Sequence, residues 1–142
     1  VIGTSGISKI PSAEMDWATL IDMQTALDSD NALNGRLAYV LNPVEAGTAK
    51  QTAKAAGEAV MLMTVNPGAI AGYPAEVSNQ MDSGAWLFGD WSQLMMCEWS
   101  GLDLMVDPYS LSTSGGVRTT AFHDIDFVVR HADSFCLATT SP

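Results

Sequence analysis

Apolar and polar positions along the chain follow two different periods. Trp17, Leu20, Ile21 and Leu27 recur at i, i+3, i+4 and i+10, one stripe of a 3.6-residue helix. The spacing predicts a helix over Ala13–Ser29, with Ser12 as N-cap and Glu14 and Asp16 in the first turn, where the helix dipole favours acids. Asn42-Pro43 is a second helix start, predicting Pro43–Ala56 with Lys50 and Lys54 one turn apart and Gly57 as its end. Arg36–Leu41 is a short apolar run of strand type, buried on both faces. Glu58–Val65 is another, closed by an Asn66-Pro67-Gly68 turn. Ile70–Ser78 is extended, and Pro74 places it at an edge or bulge, because proline cannot donate to a central ladder. Val1–Pro11 is an opening loop, punctuated by Gly and Ser, with room for one short strand.

Beyond the Asp82-Ser-Gly84 turn the period becomes two. Ala85–Phe88 is a strand turned by Gly89-Asp90. Leu94–Trp99 and Leu102–Val106 form a hairpin across Ser100-Gly101, and Pro108–Gly116 is a loop. In Val117–Arg130 the odd positions are mostly apolar and the even ones mostly polar, which predicts one long antiparallel strand with a buried face. His131–Asp133 turns it, and Ser134–Ala138 is a last short strand. Trp86–Ser110, which holds three of the four tryptophans, should then join Val117–Arg130 in the sheet on which the rest packs. Helix and strand alternate first and strands dominate later, which makes the fold class α+β: a mixed sheet with about two flanking helices, residues 1–142 forming one compact unit.

Composition narrows the function classes. At 142 residues the chain suits one domain able to bury roughly two-thirds of its unfolded surface. Apolar residues make up 47% and charged ones only 15%, which favours association with copies or partners. Sixteen acids against six scattered cations give a net charge of −10, so neither a phosphate backbone nor an anionic membrane finds a basic patch. Runs such as Ala59–Met63 fall far short of the ~20 apolar residues of a membrane span, and no signal-peptide pattern opens the chain. Cys97 and Cys136 fit a reducing compartment as small buried hydrophobes; one disulfide between them is the alternative.

Candidate chemistry does not converge. His123, Asp124 and Asp126 resemble a metal or acid–base cluster, but strand parity turns His123 away from the two acids. Cys136 and His131 lie five positions apart across a turn, with no third group to orient them, and Cys97 is weaker still as a nucleophile. Asp90, Glu98, Asp103 and Asp107 could pair as in a glycosidase, yet nothing sets the separation such a mechanism needs. The tryptophans could stack on carbohydrate, although strand tryptophans more often fill a core or an interface. No phosphate loop, dinucleotide fingerprint or nucleophile elbow occurs. No catalytic, cofactor or metal residue is assigned, and no enzyme is read from the residues.

The order of segments carries a resemblance. GYPAEVSNQM (Gly72–Met81), WLFGDWSQLMMCEWSGLDLMVDPYS (Trp86–Ser110) and VRTTAFHDIDFVVRHADSFCLAT (Val117–Thr139) together resemble the C-terminal part of tailed-bacteriophage major capsid proteins. The Trp17–Leu27 helix and the Tyr39–Pro43 junction resemble the segment preceding it. The resemblance implies the phage shell fold, in which an axial domain surrounds the capsomer axis and a peripheral domain links neighbours. Residues 12–107 would be axial, and Val117–Ala138 would return to the peripheral sheet. It also implies a structural subunit of a phage or prophage capsid, self-associating into pentamers and hexamers, located in the virion and before assembly in the bacterial cytoplasm. Its partners would be copies of itself, with a scaffold or maturation protease as further ones. Family members begin with an N-terminal arm, an extended loop and a spine helix; these are not seen here, so the chain is expected to be a fragment, monomeric or a small oligomer in isolation. Two other classes stand beside this reading: a prophage-derived binding module that recruits a protein by strand addition, and a hydrolase using the acidic hairpin or Cys136.

Overall fold

The computed structural model describes residues 1–65 and 68–140. The predicted apolar stripe becomes helix α1 (Trp17–Ser29), with Leu20, Met23 and Leu27 fully buried. Its cap is Asp16, not Ser12: the Asp16 carboxylate accepts the Thr19 N–H at 2.8 Å. Ser12 instead has φ +53°, so the chain is still turning there, and Glu14 lies outside the helix. Asn42 does cap α2 (Pro43–Gln51), accepting from Val44 N–H at 3.0 Å while donating to the Met81 carbonyl at 2.7 Å. That helix is one turn shorter than its pattern suggests. Backbone bonds from Lys54 N–H to Val60 (2.8 Å) and Leu62 N–H to Thr52 (3.0 Å) draw the chain into a bridge, and Lys54 Nζ settles 4.0 Å above the Trp17 ring. Lys50 and Lys54 therefore share no helix.

The strands are β1 (Ser8–Ile10), β2 (Leu37–Leu41), β3 (Met63–Val65), β4 (Gly68–Ile70), β5 (Tyr73–Val77), β6 (Ala85–Asp90), β7 (Leu94–Glu98), β8 (Asp103–Asp107), β9 (Arg118–Phe122), β10 (Ile125–Val129) and β11 (Phe135–Thr139). Seven of them form one mixed sheet in the order β1-β11-β6-β2-β5-β4-β3. Of the tryptophan-rich stretch only β6 belongs to it; Trp86–Ser110 and Val117–Arg130 do pair, but as two separate two-stranded sheets, β7 with β10 and β8 with β9, rather than as the main sheet. β6 lies between β11 and β2, and all six of its residues are buried, with Tyr39 opposite Phe88 and Leu137 opposite Leu87. Glu58–Val65 yields only the three residues of β3, and the Asn66-Pro67 part of the predicted turn lies outside the described residues.

Two expectations about breakers are corrected. β5 is interior, not an edge; Pro74 is tolerated because its partner is Ala69 on one side, while the ladder to β2 starts only at Ala75. Gly89-Asp90 ends β6 rather than turning it, and the turn follows at Trp91–Gln93. Gly89 is required by packing: a Cβ there would stand 2.7 Å from the Ser134 carbonyl oxygen and clash with the edge of the Phe135 ring.

The helix-covered face of the sheet gathers Leu20, Met23, Leu27, Tyr39, Leu41, Trp86 and Phe88, with Tyr39 stacked on Phe88 at 4.3 Å. Burial holds the Tyr39 phenol protonated well above its ordinary range; its O–H donates to the Leu20 carbonyl at 3.1 Å and accepts from Gln24 Nε2 at 3.0 Å. The opposite face buries Ile7, Met81, Leu87, Phe135 and Leu137.

The chain divides into two compact units. The first is Val1–Leu94 with Val129–Pro142, and the second is Met95–Val128. β11 completes the sheet of the first unit.

Candidate functional site

The second unit is built from β-formers that find no cover. β8 pairs antiparallel with β9, Asp103 opposite Phe122 and Asp107 opposite Arg118. β7 pairs with β10, and the Trp99 N–H to Asp124 bond (3.2 Å) extends that ladder. The expected β7–β8 hairpin across Ser100-Gly101 is therefore absent; each strand takes its partner from the returning segment. That segment is not one long strand, because it breaks at His123-Asp124. Nor has it a buried face: no residue of Met95–Val128 is buried.

Alternation within β8 separates two surfaces. Leu104 and Val106 lie opposite Ala121 and Thr119, a face without charge. Asp103, Met105 and Asp107 lie opposite Phe122, Thr120 and Arg118. Among the described residues, thirteen of the eighteen large hydrophobics that stand exposed belong to this unit, including Trp99 at 70%, Leu104 at 62% and Phe127 at 58%. Monomeric soluble proteins rarely expose such a concentration, which is characteristic of interaction surfaces. Sequence reasoning missed it, although a signal was present: Phe122 and Val128 occupy the polar parity of the Val117–Arg130 run. Apolar residues on both parities indicate a ribbon covered on both sides, not one lying on its own core.

The groups weighed for chemistry scatter. His123 Nε2 meets Glu98 Oε1 at 2.8 Å on the surface, both side chains more than 40% exposed. Ser100 Oγ donates to Asp124 at 3.3 Å, and Asp126 accepts the Phe127 N–H at 2.7 Å. Among the described residues no three His, Cys, Asp or Glu side chains gather to hold a metal. Cys97 and Cys136 are both free thiols. Cys136 is fully buried in β11, opposite Phe88, and burial pushes its thiol up to about 11, while His131 is exposed beyond the strand's start.

The four acids take separate structural positions. Burial raises the Asp90 carboxyl, but hydrogen bonds outweigh it and leave the group below its ordinary value. They come from Ser92 (Oγ at 2.7 Å, N–H at 3.0 Å), Arg36 N–H at 2.8 Å and Gln93 at 3.3 Å. Gly35, at φ +82°, leaves room for this hub, since a Cβ there would stand 2.5 Å from the carboxylate oxygens. Asp107 is lowered by the Ser110 hydroxyl, then by the N–H groups of Tyr109 and Ser110, and so starts the loop after β8. Glu98 meets His123, and Asp103 stands exposed opposite Phe122. The tryptophans form no platform: Trp86 is in the core, Trp91 donates to the Ala38 carbonyl at 3.0 Å, and Trp99 is exposed.

Comparison with known proteins identifies the family. The family model described as the phage capsid family matches residues 2–140. The major capsid protein of Halomonas phage phiHAP-1 is 32% identical over 125 residues, which are 88% of this chain and 20% of that protein. Among solved structures, the capsid of a native GTA particle is similar with a TM-score of 0.76 at 19% identity, over 98% of this chain and 53% of that one. The virus-like particle from Pyrococcus furiosus follows at a TM-score of 0.61 and 15% identity, over 96% and 58%. At such identities these structures establish the α+β fold. The chain spans about a fifth of the Halomonas relative and about half of the solved ones. The chain belongs to the phage capsid family.

Proposed function

We propose that this chain is part of a major capsid subunit that builds a phage or prophage shell by self-association into pentamers and hexamers, without catalysis. The observation that carries the reading is the ribbon: an ordered unit with thirteen exposed large hydrophobics and no buried residue has no cover of its own. Burying such a surface against other copies removes apolar area from water at about 25 cal/mol per Å². The family match and the Halomonas relative support the same reading. In it, the seven-stranded unit is the axial domain and the ribbon belongs to the peripheral domain. The subunit resides in the virion, passing through the bacterial cytoplasm, with a scaffold or maturation protease as further partners. Residues 1–142 alone are then monomeric or a small oligomer. Electron microscopy of the full-length gene product tests the reading. Wild-type protein should form capsomers or shells, and Leu104→Asp with Phe122→Asp should leave folded, unassembled subunits. Full-length protein that never assembles, or a ribbon variant that assembles like wild type, overturns it.

A further inference from the structure

An asparagine can lose its amide when the backbone nitrogen of the next residue is free to attack its side chain. Five asparagines occur in this chain, and that requirement separates them. Asn42 and Asn66 precede prolines, whose ring nitrogen carries no N–H. Asn31 precedes Ala32, whose N–H is held by the Leu27 carbonyl at 2.8 Å. Asn79 precedes Gln80, whose N–H is held by the Ser78 hydroxyl at 3.2 Å. Asn34 differs from all four. It precedes Gly35, which has no Cβ to shield its nitrogen, and among the described residues the Gly35 N–H makes no hydrogen bond. Both residues are exposed, in the loop between α1 and β2. The Asn34 amide is tied only to the Asn31 carbonyl, at 3.1 Å on the surface, a bond that costs little to release.

We propose that Asn34-Gly35 is a self-modifying site, converting to a mixture of aspartate and isoaspartate that loosens this loop from Asp90. The Gly35 nitrogen gives its proton to solvent and attacks Cγ of Asn34. A nitrogen–carbon bond forms within a cyclic imide, the Cγ–Nδ2 bond breaks, and Nδ2 takes a proton back from solvent and leaves as ammonia. Water then opens the ring. Opening at Cγ leaves aspartate; opening at the backbone carbonyl leaves isoaspartate, whose main chain runs through Cβ and is one carbon longer. Nothing is oxidised or reduced, and water is the only co-reactant. Either product adds a negative charge to a polar pocket that Asn34 shares with Asp30 and Asp133. The longer backbone of isoaspartate has a second effect. Gly35 sits at φ +82° so close to the Asp90 carboxylate that a Cβ would stand 2.5 Å from its oxygens, and Arg36 N–H donates to the same carboxylate at 2.8 Å. An extra carbon just before Gly35 shifts a segment that has no slack, so the Arg36–Asp90 bond is the one that weakens.

The test is ageing of the full-length protein in mildly alkaline buffer, read by peptide mapping with electron-transfer fragmentation, which separates isoaspartate from aspartate. Conversion at position 34 should run about tenfold or more ahead of Asn31 and Asn79, at a rate independent of protein concentration because the reaction is intramolecular. Asn34→Gln should stay unmodified over the same period. Hydrogen exchange then reads the coupling to Asp90. The Arg36 N–H should exchange about tenfold faster in the isoaspartate form than in Asn34→Asp, which carries the added charge on a backbone of normal length. Asn34 that stays intact, or converts no faster than Asn31 and Asn79, overturns the site. Isoaspartate at position 34 with Arg36 exchange unaltered overturns the loosening from Asp90.

Discussion

Strands β6 and β8 use nearly the same alphabet to opposite ends. β6 reads AWLFGD and is buried at all six positions, between two strands and two packed faces. β8 reads DLMVD and has four of five positions exposed, although three of them are Leu, Met and Val. Hydrophobicity thus reports that a segment will be covered, but not by what. In the first unit the cover is the chain's own helices and loops. In the ribbon no residue of Met95–Val128 is buried.

Paired tryptophan truncations probe that contrast with the largest expected effect. Trp86→Ala empties a fully buried site and should cost about 4 kcal/mol of unfolding free energy, whereas Trp99→Ala should stay within about 0.5 kcal/mol. Urea denaturation of the unassembled chain measures both; similar losses would show the ribbon to be packed after all. Gly89→Ala comes next. The new methyl group meets Phe135 and the Ser134 carbonyl, so a loss of about 2 kcal/mol should appear in the same assay, against no measurable loss for Gly101→Ala, where nothing stands within 4 Å.

Asp90→Asn is smaller, about 1–2 kcal/mol at neutral pH, because the amide keeps some of the bonds to Ser92 and Arg36. Its pH signature is more telling. The folded carboxyl lies below its unfolded value of 3.8, so its stabilisation is fully present above that value and is lost as pH falls through the lower folded value. Acid titration of stability should therefore show a shallower acid limb in Asp90→Asn than in wild type; identical limbs would remove Asp90 from the account. The smallest effect involves no stability change. At pH 8 a thiol reagent should label Cys97 readily and leave Cys136, buried with its thiol at about 11, unmodified until denaturant is added. Rapid double labelling of the native chain would contradict the burial of β11.

Much of the fold was legible. The α1 stripe, the Asn42 cap, β2 and the short final strand depend on local period and turn chemistry, which neighbouring residues set among themselves. Errors gathered where a distant segment competes. Thr52 and Lys54 left their helix for backbone partners at Leu62 and Val60, and β7 left its adjacent hairpin partner for β10. The parity reading of His123, Asp124 and Asp126 assumed one continuous strand, whereas the chain breaks between β9 and β10 at His123-Asp124. The meaning of Phe122 and Val128 was not readable, because exposure depends on what lies across space.

By itself, the sequence determined the α1 stripe, the Asn42 cap, the strands β2 and β11, and the order of motifs that marks the phage capsid family. Those properties follow from spacing along one chain. Only the tertiary structure decided that β6 lies buried between β11 and β2 while β8 and β9 stand exposed. These are outcomes of long-range strand pairing, in which each strand has several sterically acceptable partners and the register of the whole sheet selects one.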